Sequence, residues 1–216
     1  KLSESLPTFL TQKRRKKTRI IVPKKGVKKQ LLDLVLKNIE ITFFGDLSKI
    51  ESLQHTLNLP EPPQVIECFD ISHLSGTSMV GSMVQYRNGK PDKTNYRRFR
   101  IRTVEGIDDV AAIAEVVRRR YSRLQQEHAP FPQLILIDGG IGQLNSAIQQ
   151  LEHIGANIPL IAIAKHFEEL YLPRQPQPLR LGKKEKALLF IREIRDEAHR
   201  FAIAYNRLLR KKELRS

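Results

Sequence analysis

Two short apolar runs, each closed by an aspartate, constrain this chain more than any other feature. They are Val65-Ile66-Glu67-Cys68-Phe69-Asp70 and Leu134-Ile135-Leu136-Ile137-Asp138. Both have the length of a strand, and the second carries no polar residue before its terminal acid. A run that is apolar on both faces belongs inside a sheet covered by helices. Acids at the ends of neighbouring strands meet at the sheet edge, where they can converge on one point.

The segments around these runs fall into a regular order. Pro60, Pro62 and Pro63 mark a break before the first run. A second strand is expected from Thr77 to Tyr86, Asn88-Gly89 is a hairpin signal, and a third strand is expected from Asn95 to Ile101. Asp108-Asp109 opens a helix whose apolar positions Val110, Ile113, Val117, Tyr121 and Leu124 recur at steps of three and four. After Gln133 to Asp138 come glycines, a helix from about Asn145 to His153, and a strand from Pro159 to Ala164. Pro173, Pro176 and Pro178 interrupt a loop or hairpin before a last long helix. Three strands in a meander, then helix, strand, helix, strand and helix, is the element order of the ribonuclease H-like fold. The fold class is therefore α/β, a mixed five-stranded sheet flanked by helices.

The first 60 residues read differently. Up to about residue 30 core residues are scarce, and Lys13, Arg14, Arg15, Lys16, Lys17, Arg19, Lys24, Lys25, Lys28 and Lys29 crowd together. That composition predicts a flexible basic arm. Leu31, Leu32, Leu34, Val35 and Leu36 predict a helix, and Asp46 to Leu57 predicts another. Residues 1–60 are thus a basic arm with a short helical lead-in, and residues 61–216 form the main domain. A chain of 216 residues has room for one good core plus such an extension.

Lys and Arg outnumber Asp and Glu by 38 to 23, a net charge of +15, which calls for a polyanionic partner, nucleic acid ahead of an anionic membrane. No apolar run approaches the roughly 18 residues of a membrane span, and no secretory leader is visible. Cys68 is the only cysteine, which excludes an internal disulfide and fits a reducing compartment, the cytoplasm. It reads as a small buried apolar residue, because no activating base is legible nearby.

In the last helix Ile191, Ile194, Ala198, Phe201, Tyr205 and Leu208 form one buried stripe, and Arg192, Arg195, His199 and Asn206 line its flank. A histidine beside two arginines at a core margin is placed to meet a phosphate or a metal. The bland alternative is a half-buried histidine on a helix face. Asp70 and Asp138 offer the oxygen ligands that Mg²⁺ or Mn²⁺ prefers. His199 adds a nitrogen that shifts preference toward Mn²⁺, or else handles a proton. On a basic chain this set points to phosphodiester hydrolysis, for which a bound cation activates water and neutralises charge. Asp109 alone is most simply a charge at a helix start. Asp138-Gly139-Gly140-Ile141-Gly142-Gln143 lacks both the third glycine of a dinucleotide fingerprint, since Asn145 stands there, and the Gly-Lys-Ser/Thr of a P-loop. Its glycines are read as allowing a sharp turn and close approach of DNA. Arg97 and Arg98 share a strand, so they point to opposite sides and at most one faces a bound nucleic acid. A non-catalytic binding module, or a ribonuclease or recombinase on the same scaffold, remain alternatives.

From about Pro62 to Arg210 the chain resembles the C-terminal endonuclease domain of the UvrC family, the incision subunit of nucleotide excision repair. The resemblance rests on Ile66-Glu67-Cys68-Phe69-Asp70-Ile71-Ser72-His73, Tyr96-Arg97-Arg98-Phe99, Gly106-Ile107-Asp108-Asp109, and Ile137-Asp138-Gly139-Gly140 with Gly142-Gln143-Leu144. Ala162-Ile163-Ala164-Lys165 and Arg195-Asp196-Glu197-Ala198-His199-Arg200-Phe201-Ala202 complete it. It implies a divalent metal, a cut on the 5′ side of a DNA lesion, a catalytic and metal-binding trio of Asp70, Asp138 and His199, and a role in activity for Asp109. Arg97, Arg98, Lys165, Arg192, Arg195 and Arg200 are the basic residues expected at the DNA. The implied partners are damaged double-stranded DNA and UvrB, with UvrA upstream. Ile141 and His166 depart from the polar or basic residues usual at those positions. No 3′-cutting GIY-YIG module, helix-hairpin-helix tail or UvrB-binding segment is recognised, so this chain alone is expected to incise weakly or only at 5′ positions.

Overall fold

The computed structural model describes residues 2–17, 21–39, 45–73, 79–104, 106–164 and 169–213. The chain divides into two compact units, Lys1–Gly45 and Asp46–Ser216. In the first, α1 spans Leu2–Arg14 and α2 spans Val27–Ile39. Residues 2–14 are thus helical where the charge density predicted a loose arm. Leu2, Leu6, Phe9 and Leu10 follow a helical step that the nearby lysines and arginines obscured. The leucine-rich helix expected after residue 30 is α2, which leaves Val27, Leu31, Leu34 and Val35 exposed.

The second unit begins with α3 (Gly45–Leu57), ahead of the proline break. Ile50, Leu53 and Leu57 of α3 enter the main core, which makes that helix part of the domain and not of its lead-in. There follow β1 (Val65–His73), β2 (Met79–Arg87), β3 (Lys90–Pro91), β4 (Arg97–Arg100), α4 (Asp109–Gln126), β5 (Leu134–Asp138), α5 (Ile141–His153), β6 (Leu160–Ile163), β7 (Leu170–Tyr171) and α6 (Lys186–Glu213). The sheet runs β3-β2-β1-β5-β6-β7, with β4 beside β3 on the outer edge of β2. β1 is antiparallel to β2 and parallel to β5, and β5 is parallel to β6. The five strands expected from the sequence are β1, β2, β4, β5 and β6, in the mixed arrangement of a ribonuclease H-like sheet. β3 and β7 are two-residue additions. The Asn88-Gly89 turn has φ of 51° and 80°, both left-handed, as a tight hairpin requires. A Cβ on Gly89 would also lie 2.7 Å from Cβ of Asp46.

Strand periodicity divides the core in two. Ile66, Cys68, Leu134 and Leu136 pack against Ala187, Phe190, Ile191, Ile194 and Ala198 of α6. Phe69, Ile135 and Ile137 pack against Ile113, Val116, Val117 and Tyr121 of α4 and Leu144, Ala147 and Leu151 of α5. Gly81 lets α4 approach β2, since a Cβ there would stand 2.7 Å from a methyl of Val116. Glu67, buried on the α4 side, receives Arg120 at 2.6 Å and the Tyr121 hydroxyl at 2.8 Å. That polar clamp holds α4 on β1 three residues before Asp70.

Helix starts follow their caps. Oδ1 of Asp108 accepts from the backbone N–H of Val110 and Ala111 at 3.0 and 2.9 Å, and α4 begins there. Val110, expected in the stripe, is instead exposed. α5 begins at Ile141, four residues before the expected start. The Gln143 side chain reaches back to the N–H of Gly140 at 2.9 Å and extends the helix into the glycine segment. Among the described residues no helix is long and apolar enough to cross a membrane.

Candidate metal centre

Alternation along the two central strands decides where the acids point. Ile66 and Cys68 face α6, so Asp70 faces α6; Leu134 and Leu136 do likewise, so Asp138 follows. The parallel register pairs Cys68 with Leu136 and Phe69 with Ile137, which brings Asp70 and Asp138 side by side: Asp138 is the last residue of β5, whereas β1 runs on past Asp70 to His73, beyond the strand end expected from the sequence. Both are buried, at 1% and 8% exposure. On α6 the apolar stripe runs through Ile194 to Ala198, and His199 is the next residue, at the end of the greasy contact.

The imidazole Nδ1 of His199 lies 3.6 Å from Oδ2 of Asp70. Asp70, Asp138 and His199 each offer a ligand atom, and these atoms all lie within 4.8 Å of one another. Donors about 2.0–2.6 Å from a shared ion stand up to about twice that distance apart, so the set fits one divalent cation. Two carboxylates held together in a buried position also call for a positive charge between them. An open cleft of about 200 Å³, lined by Asp138, Arg195, Asp196 and His199, leads to the set. Among the described residues no other group of three such side chains converges.

Cys68, two residues before Asp70, is not a nucleophile. Burial pushes its thiol well above the ordinary value, and the negative charges of Asp138 and Asp70 push it further.

Asp109 lies outside the converging trio. It sits in the first turn of α4, where its Oδ1 is 3.1 Å from Nε2 of His73, the last residue of β1. Nothing in the local pattern around His73 signals this pairing.

The expected arginines are already engaged within the fold. Arg97 donates to the carbonyls of Thr94 and Tyr96 at 3.1 and 2.9 Å. Arg98 lies on the other face, its guanidinium 4.5 Å from the Phe201 ring centre and 4.6 Å from that of Tyr205. Arg195 pairs with Asp196 at 2.8 Å, and Arg200 pairs with Glu197 through two hydrogen bonds of 2.6 Å. Arg192 is half-buried on α6. Lys165 and the side chain of Asn206 lie outside the described residues.

Two features are not visible in the sequence pattern. Tyr96 donates to Glu197 at 2.9 Å and packs edge-on to Phe201, so the residue just before β4 clasps α6 on either side of His199. Arg200, with Tyr96, holds the Glu197 carboxyl below the usual range. The second feature is Glu115, buried on α4, which accepts from the N–H groups of Arg102 and Thr103, the Thr103 hydroxyl and Arg119. Burial pushes its pKa up, but these donors outweigh it and bring it down to about 2. The turn after β4 is thereby stitched to α4. Nearby Arg100, Arg102 and Arg118 are exposed, and among the described residues their side chains have no partner. A polar residue between apolar steps gives no sign that Glu115 turns inward.

Comparison with known proteins matches residues 54–203 to the UvrC RNAse H endonuclease domain and residues 1–44 to the UvrC Ribonuclease H-like domain. The UvrABC system protein C of Methanosarcina acetivorans is 64% identical over 213 residues, covering 99% of this chain and 41% of that protein. Its counterpart in Methanococcus maripaludis is 60% identical, covering 98% and 40%, and that of Solibacter usitatus is 48% identical, covering 96% and 35%. The chain therefore spans about two fifths of the length of these curated relatives. Among solved structures, human ENDOV aligns with a TM-score of 0.41 and 11% identity over 75% of this chain and 97% of that one, a likeness too slight to bear on function.

Proposed function

The chain belongs to the UvrC family, and on that premise we propose that its Asp46–Ser216 unit is a metal-dependent endodeoxyribonuclease that makes the 5′ incision beside a lesion in nucleotide excision repair. The observation that carries this reading is the convergence of ligand atoms of Asp70, Asp138 and His199 within 4.8 Å of one another, on two adjacent buried strands and the helix that covers them.

Asp70 and Asp138 would hold Mg²⁺ or Mn²⁺ through oxygen, with His199 completing the set through nitrogen. When bound, such a cation lowers the pKa of an attacking water and neutralises charge at the scissile phosphate. The backbones of the two aspartates are held by hydrogen-bonded neighbouring strands, which restricts the carboxylates to what side-chain rotation allows. His199, half-exposed on the cleft wall, is the member able to exchange a proton with substrate or solvent. Arg195 lines the same cleft and brings positive charge to an entering phosphate. Arg98 is held rigid by its two aromatic neighbours and is ready to meet the DNA backbone without further ordering. Arg100, Arg102 and Arg118 would extend that track along the β4–α4 side, with Arg192, Arg200 and Lys165 as further contacts and Arg97, on the face opposite to Arg98, left out of it. Asp109, paired with His73, would support activity from beside the site.

Damaged double-stranded DNA is the proposed substrate and the cytoplasm the proposed location. UvrB, with UvrA upstream, would be engaged through parts of the longer relatives that this chain does not span. Incision of a lesion-bearing duplex should stop in EDTA and return on addition of Mn²⁺ or Mg²⁺. Undiminished cutting in EDTA contradicts the reading.

A further inference from the structure

Ser82 stands directly across from Asp70. The antiparallel register of β1 and β2 pairs the two residues, so their side chains project from the same face of the sheet, about 5 Å apart at Cβ. Ser82 is fully buried, and its Oγ has no hydrogen-bond partner. Its same-face neighbours along β2, Val80 and Val84, are apolar. On the outer side β4 places Arg98 opposite it, but the Arg98 guanidinium is taken up between Phe201 and Tyr205. The polar side chain that the register sets directly opposite Ser82 on β1 is Asp70.

A buried hydroxyl without a partner is uncommon, and an alanine or valine would fill this position of a central strand at less cost. The exception has a rationale if the partner comes into place only when the site is loaded. Oδ2 of Asp70 is the oxygen nearer His199, at 3.6 Å, and so lies on the side where the three ligand atoms converge. A carboxylate has about four acceptor positions, so beside the interactions Asp70 already makes its other oxygen can take a further donor. Carboxylates that ligate a metal are themselves held by hydrogen bonds from neighbouring groups, and loss of such a neighbour weakens the metal.

We propose that Ser82 is a positioning residue for Asp70: with the cation bound, the Ser82 hydroxyl donates to the Asp70 oxygen that does not ligate and so aims the other at the ion. This rests on the metal-dependent reading above. It adds a residue on β2 to a site otherwise built from β1, β5 and α6.

The test is Mn²⁺ binding to the full chain by calorimetry, with no DNA present, for wild type, Ser82→Ala and Asp70→Asn, alongside thermal melting without metal. Ser82→Ala is expected to bind Mn²⁺ about 10-fold or more weakly. It should melt, metal-free, no lower than wild type, because it deletes a hydroxyl that bonds nothing in that state. A purely structural role would show the opposite, a lower metal-free melting temperature with Mn²⁺ affinity intact, and that result overturns the proposal. Unchanged affinity and unchanged melting overturn it too. Asp70→Asn separates the layers. If it loses Mn²⁺ while Ser82→Ala does not, only the Ser82 role falls; if it binds Mn²⁺ as wild type does, the metal reading falls and takes this inference with it.

Discussion

Tyr96, the residue before β4, donates its hydroxyl to Glu197 on α6 at 2.9 Å, two residues before His199 on the same helix. The entry to one edge strand thus fixes the rotation of the helix that delivers the third member of the site. Glu197 is also held by Arg200, and Phe201 packs on the Tyr96 ring, so the segment from Glu197 to Phe201 is anchored at both ends.

Tyr96→Phe removes this hydrogen bond and keeps the ring. Urea unfolding should show a loss of about 1.5–3 kcal/mol, the range for a bond to a charged acceptor. Incision should fall through kcat and not KM, because the imidazole loses its orientation while the DNA track is untouched. A rise in KM at constant kcat would place Tyr96 in DNA binding instead.

The buried Glu67–Arg120 pair gives a second prediction. Arg120→Met should destabilise by about 3–5 kcal/mol, because the Glu67 charge is left buried beside Phe69 and Tyr121. Combining it with Glu67→Gln should recover much of that loss. Thermal melting of the two single variants and the double variant measures the coupling.

Glu115 sets a pH dependence. Its pKa is about 2 in the folded chain against about 4.3 when unfolded, so the folded state binds fewer protons and gains stability from the ionised carboxylate. That contribution is complete above about pH 5 and is lost as pH falls through the folded value near 2. Glu115→Gln should therefore be less stable than wild type at pH 7, with the gap closing steadily below pH 5. A gap that stays constant down to pH 2.5 would show that the donors around Glu115 do not depend on its charge.

Arg100, Arg102 and Arg118 are proposed phosphate-binding residues because they are exposed and unengaged among the described residues. Replacing all three by serine should reduce the slope of log Kd against log salt by up to about 0.9 for each phosphate that is no longer neutralised. The incision rate at saturating DNA should hold. An unchanged slope removes the β4–α4 side from the interface.

The fold was legible where a single period governed a segment. Leu134 to Ile137 reads as a buried strand because nothing in it is polar, and Ile191, Ile194 and Ala198 read as a helix stripe because their spacing admits little else. Asp70, Asp138 and His199 were legible because each ends or flanks such a run, so the packing of the run fixes the acid or imidazole. What stayed hidden depended on tertiary partners. α1 was masked by its lysines and arginines, and the early start of α5 by glycines whose cost the Gln143 cap offsets. The engagement of Arg98 by Phe201 and Tyr205, and of Glu115 by the turn at Arg102 and Thr103, joins residues that no local pattern connects. Ser82 looked like an ordinary strand residue until the register set it against Asp70.

The most direct measurement is incision of a duplex bearing one lesion, labelled so that 5′ and 3′ cuts are distinguished, by a full-length protein containing this chain and assembled with UvrB. Wild type and Asp138→Asn would be compared in Mn²⁺. Asp138→Asn should lose the 5′ cut by about a thousandfold, about 4 kcal/mol of transition-state stabilisation, with DNA retention and melting temperature largely kept. A 5′ cut at the wild-type rate from Asp138→Asn would contradict the assignment of the reaction to Asp70, Asp138 and His199.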